Sequence, residues 1–166
     1  MTPASQTNMT SAGRIAKFVA FAWNWGLILI WATWWGGLNF YALVVVPIGT
    51  ELIGSVEQGF ITQKVTQAHN AITVLFVICL LIEAYRRRHR MLWSTAIALL
   101  VITIGLISWH VHLTSMMDFE QQSVPGRFYS EHAVYLWLTA FEWGLGLLIP
   151  VWFLSERDGR REPRSL

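Results

Sequence analysis

Four stretches of the chain are long and apolar, and most polar residues fall between them. The first covers residues 15–47, includes FVAFAWNWGLILIWATWWGGLNFYALVVVP and carries no charge after Lys17. The others cover 69–85, 92–113 and 133–154. A helix that crosses a bilayer needs about 20 mostly apolar residues, so each stretch is read as a transmembrane helix. At ~1.5 Å per residue the first exceeds what a bilayer core requires. It is expected to tilt, to bend near Gly36 and Gly37, or to project beyond the membrane. The strictly apolar part of the second, 71–82, is short. The preceding SVEQGFITQKVTQ puts Val56, Phe60, Ile61 and Val65 near one helical face and reads as an amphipathic helical lead-in.

Short loops between such spans predict one all-α domain over 15–155, an integral membrane four-helix bundle of up-down antiparallel topology. The polar tails, 1–14 and 156–166, are expected to be disordered. Lys and Arg set the orientation. Arg14 and Lys17 precede the first span, Arg86, Arg87, Arg88 and Arg90 follow the second, and Arg157, Arg160, Arg161 and Arg164 follow the fourth. Only Lys64 and Arg127 lie on the other side. The positive-inside rule then places both termini in the cytoplasm of a multi-pass inner-membrane protein. A cleaved signal peptide fits less well, because the first apolar run far exceeds a signal h-region.

Composition agrees. Of 166 residues, 54% are hydrophobic and 13% charged, against roughly 25% charged in a soluble domain. The +2 net charge comes from bases flanking apolar runs, so it points to the lipid bilayer as partner and not to nucleic acid. A lone cysteine, Cys79, excludes an intrachain disulfide and any CxxC motif. Ten tryptophans suit membrane interfaces: Trp23, Trp25, Trp93 and Trp152 at the inner one, Trp34, Trp35 and Trp109 nearer the outer. Ala140 and Gly144, with Gly146, Gly36, Gly37 and Gly105, offer close helix contacts. Pro150 is expected to kink the fourth span modestly.

The candidate chemistry emerges once the spans are folded together. His69, His110, His112 and His132 then share one level near the extracytoplasmic face, while His89 lies in the arginine cluster. Asp118, Glu120, Glu131, Glu51 and Glu57 add carboxylates in the adjoining loops. Imidazole with carboxylate suits Zn, Cu or Fe, and two imidazoles from different helices suit haem b. His110 and His112 are ~200° apart on a helix, so only one of them can face an interior site.

Glu142 lies ~15 Å beyond His132 along a straight helix, near the bilayer midplane. No Lys or Arg exists at that depth, which predicts a protonated, hydrogen-bonded acid facing the bundle interior. Thr33, Trp31 and Thr103 are the partners expected at its level. His132, Tyr135, Thr139 and Glu142 form one polar stripe that can line a proton path or cradle a ligand. Its plainer role is packing glue. His69 and Thr73 share an inward face with Phe76, Leu80 and Glu83, and Asn39 and Asn24 are polar residues within the first span. Glu83, one turn before Arg87, is read as an interfacial acid that snorkels. The RRRHR run sets topology and can touch anionic headgroups.

The segments WWGGLNFYALVVVP, WHVHL and FYSEHAVYLWLTAFEW resemble small four-helix bacterial inner-membrane proteins, a likeness that covers most of residues 30–145 and implies no particular activity. The chain is also superficially similar to four-helix cytochrome b and copper-resistance membrane domains, which use paired histidines. Three readings follow. The first is a small binding or accessory membrane protein with an outward-opening pocket walled by His69, His112 and His132, with Tyr135 and Glu142 below and Asn39 alongside. It could act alone, as a homo-oligomer or in a larger membrane complex. The second is a haem b or copper redox protein. The third is a small proton-coupled transporter that relays protons through Glu142.

Overall fold

The computed structural model describes the backbone of residues 11–158 and the side chains of 11–152. Apart from one antiparallel backbone bridge between Asp118 and Ser123, the regular structure is helical. Helix α1 covers Ser11–Phe40 and passes through a π-helical segment, Tyr41–Val45, into α2, Val46–Ile53. Helices α3, α4 and α5 cover Ser55–Arg87, Arg90–Ser115 and Phe128–Asp158. Four helical stretches are long and apolar enough to cross a membrane: Ser11–Ile53, Ser55–Arg87, Arg90–Ser115 and Phe128–Trp152.

The helices outrun the apolar windows in the sequence. Residues 11–14 and 156–158 are helical, since extending an existing helix costs far less than nucleating one. The rest of both expected tails lies outside the described residues. More consequentially, the lead-in at 55–68 is helical and forms the first turns of α3 itself. His69 therefore sits ~21 Å into that helix and not at its start.

The irregularity of the first helix also lies elsewhere than expected. Gly36 and Gly37 are ordinary helical residues, and the departure from α geometry comes at Tyr41–Val45. The Val46 N–H bonds to the Tyr41 carbonyl, five residues back. Pro47, one residue on, has no N–H for the Leu43 carbonyl, and a π-bulge redistributes the bonds around that gap. Gly54, at φ 94°, separates α2 from α3, a left-handed-side conformation that glycine adopts without strain.

Helix α3 packs against α1, α2 and α4; α4 packs against α5, and α5 makes a lighter contact back to α1. The core gathers Trp34, Phe76, Leu80, Leu92, Leu99 and Ile149, with the Trp34 and Phe76 rings stacked at 4.8 Å. The seam between α1 and α5 is made largely of indoles. Trp31 stacks on Trp35 and Trp35 on Trp143, each pair at 5.8 Å. Trp31 Nε1 donates to the Gly146 carbonyl at 3.0 Å, and Trp35 Nε1 to the Trp143 carbonyl at 3.2 Å. A Cβ on Gly146 would collide with the Trp35 ring, so this glycine makes room for the column. Trp34 and Trp35 thus differ from interfacial anchors: Trp34 is fully buried and Trp35 ties two helices.

Candidate functional site

Among the described residues, two carboxylates are buried within the bundle. Glu83 is not the snorkelling acid that its spacing to Arg87 suggests, for it is only 1% exposed. It accepts a hydrogen bond from Trp23 Nε1 at 2.7 Å and pairs with Arg86 at 3.2 Å and with Arg87. Arg87 reaches on to Asn24 Oδ1 at 3.2 Å and lies over the Trp152 ring. One acid therefore gathers α1, α3 and α5 at the basic end. Asn24 joins as an acceptor, not the interhelical donor its amide could be.

Glu142, 2% exposed, has no such company. Its carboxyl faces the Trp34 indole and the Thr73 hydroxyl. Among the described residues, Glu142 Oε1 and Trp34 Nε1 are each buried without a hydrogen-bond partner. The expected neighbours are engaged elsewhere or turned away. Thr33 is exposed, Trp31 donates to Gly146, and Thr103 donates to the Leu99 carbonyl at 2.7 Å. Trp34, on the same face of α1 as Trp31, stands where Thr33 is expected.

From Glu142 a polar column rises toward the histidine-bearing end. Tyr135 interacts with Glu142 below it and faces Thr66 of α3 and Thr139 of its own helix. Thr139 Oγ1 also donates to the Tyr135 carbonyl at 3.0 Å. His132 stacks on the Tyr135 ring at 6.3 Å and on Phe128 at 5.7 Å. His110, from α4, meets the same Tyr135 ring at 6.4 Å in a tilted arrangement. His132, Tyr135 and Thr139 thus stand in order along α5 above Glu142, with Thr66 beside Tyr135 and with Thr73 and Trp34 beside Glu142. No strong sequence signal marks Thr66, because it sits in the segment read as a lead-in.

The remaining candidates lie apart. His69 Nε2 contacts the Trp34 carbonyl at 3.2 Å, one helical turn from Thr73. His112 pairs with Glu131 at 3.1 Å on an exposed surface, beside Trp109. Asn39 donates to the Trp35 carbonyl at 2.6 Å and accepts from Trp143 Nε1 at 2.9 Å, so it fastens α1 to α5 outside the column. Asp118 is occupied in its own turn, its Oδ1 accepting from the Glu120 and Gln121 N–H groups. Among the described residues, no three of His, Cys, Asp and Glu come together to hold a metal ion. His110 and His132 meet at Tyr135, whereas His69 and His112 contact Trp34 and Glu131.

No family model, curated protein or solved structure matches this chain.

Chemically, the column can do what an isolated buried acid with a phenol above it can do. The carboxyl can hold a proton without a counter-ion, and the hydroxyls of Tyr135, Thr66, Thr139 and Thr73 can donate or accept along the path. Sequence reasoning missed Gln58, 3% exposed, which bonds to the Tyr41 hydroxyl and lies against Gly49. It is a packing residue, and the apolar face expected there is in part exposed, as at Ile61.

Proposed function

We propose that this chain is a multi-pass inner-membrane protein of four spans with both termini in the cytoplasm, and that Glu142 is the proton-holding centre of a relay entered from the extracytoplasmic side. The membrane reading is supported by how little of the apolar length is covered. Between 6% and 28% of each candidate span is buried within the chain, while Phe18, Leu43, Trp137 and Val151 are more than 60% exposed. Lipid can cover such a surface and water cannot. The up-down reading rests on contact order. Trp23, Trp34 and Tyr41 of the first span meet Glu83, His69 and Thr62 of the second, in reverse. The orientation rests on the arginines at one end.

The single observation behind the functional reading is the carboxyl of Glu142, buried opposite an indole and a hydroxyl with no cation within reach. An intramembrane acid is costly, roughly 2.5–3.5 kcal/mol when charged, so the neutral acid is its resting form. Tyr135, between His110 and His132, links it to the outer end.

The test uses purified protein in liposomes containing a pH-sensitive dye, under an imposed proton gradient. The wild type is expected to pass protons faster than empty liposomes, and Glu142→Gln to fall to the empty-liposome rate while remaining folded. Equal rates for the two proteins would overturn the relay. Reporter tags on both termini are expected to read cytoplasmic; an extracytoplasmic signal at the C-terminus would overturn the orientation.

A further inference from the structure

Between α1 and α3, near the basic end, lies an apolar groove of about 360 Å³ lined by Phe18, Val19, Trp23, Gly26, Ile30 and Cys79 among others. Gly26 leaves it open: a Cβ built there meets no atom within 4 Å. The lining positions 18–30 extend ~18 Å along α1. Trp23 forms a wall of fixed position, its Nε1 bonded to Glu83 and its ring covered by the Arg86 guanidinium at 5.4 Å. The Arg86 side chain is 49% exposed, so its outer face is open to a further partner. Arg14, Lys17, Arg88 and Arg90, all exposed, belong to the same end, and the one buried acid there is already neutralised.

We propose that this groove holds one acyl chain of an anionic phospholipid, with the lipid phosphate at Arg86. The proposal rests on the reading of the chain as a membrane protein. Size suits a lipid tail: a single hydrocarbon chain is commensurate with an apolar slot of about 360 Å³ that runs along α1. Charge favours an anionic headgroup, because an apolar slot beside a half-exposed guanidinium pairs acyl chain with phosphate at once.

The experiment is native mass spectrometry of the detergent-purified full chain, titrated with phosphatidylglycerol or phosphatidylcholine. The wild type is expected to bind one equivalent of phosphatidylglycerol about fivefold more tightly than phosphatidylcholine, the worth of one well-placed cation. Gly26→Leu grows from a Cβ that meets no protein atom and is expected to abolish that equivalent. Gly36→Leu grows from an equally free Cβ, lies outside the groove, and is expected to leave it intact. Arg86→Gln is expected to erase the preference and retain the weaker binding. Unchanged binding in Gly26→Leu, or equal affinity for the two lipids in the wild type, overturns the proposal. Extraction of the protein from native membranes by alkaline carbonate would overturn the membrane reading itself, whereas membrane-retained protein without lipid selectivity sinks the lipid site alone.

Discussion

Glu83 and Glu142 are equally buried and differently kept. Glu83 is held by two arginines and an indole N–H; Glu142 faces an indole and a hydroxyl and keeps an unpartnered oxygen. A buried ion pair is worth little against an apolar substitute for the whole pair, yet breaking one partner leaves an uncompensated charge. Glu83 is therefore a structural acid whose loss is felt by everything around it. Glu142 is an acid that the fold tolerates without needing, and an acid kept without need is where function is to be sought.

The largest stability effect is expected from Glu83→Leu. It takes the carboxylate from Arg87 and strands the Trp23 N–H, and is expected to cost about 3 kcal/mol, read as a lower denaturation midpoint in mixed detergent–SDS micelles. The next concerns the indole seam. Gly146→Leu drives a side chain into Trp35 and Trp34 and is expected to cost about 2 kcal/mol, with a changed tryptophan emission spectrum. Glu142→Leu, by contrast, removes an unpartnered oxygen while conserving bulk, and is expected to move stability by less than about 1.5 kcal/mol in either direction. A collapse comparable to Glu83→Leu would erase the distinction between the two acids. Trp143→Phe is the finest probe. It deletes the bond to Asn39 and keeps a ring in the stack, for an expected loss of about 0.6 kcal/mol by the same measurement.

The sequence made the helices legible because four apolar runs of membrane length carry a signal that few other arrangements produce. It also made the Glu142 stripe legible, since His132, Tyr135 and Thr139 follow from helical angles on a single element. What it could not supply was the rotation and extent of neighbouring helices. On α1, Trp34 and not Thr33 stands opposite Glu142. The polar residues 55–68 hid the true start of α3, and the contact of His69 with the Trp34 carbonyl could not be read from α3 alone. For Glu83 two local signals conflicted. The inward stripe with Thr73, Phe76 and Leu80 argued for burial, and the pairing with Arg87 argued for the surface. Trp23, sixty residues earlier, resolved the conflict by supplying a donor inside the bundle.

The protonation state of the two acids tests the contrast most directly. Infrared spectra of the wild type, Glu142→Gln and Glu83→Gln at neutral pH, each exchanged between light and heavy water, separate a carboxylic acid carbonyl from a carboxylate. The account predicts that Glu142→Gln removes a protonated-acid band that shifts on deuteration, and that Glu83→Gln removes only carboxylate absorption. A wild type in which Glu142→Gln removes carboxylate absorption instead would contradict it.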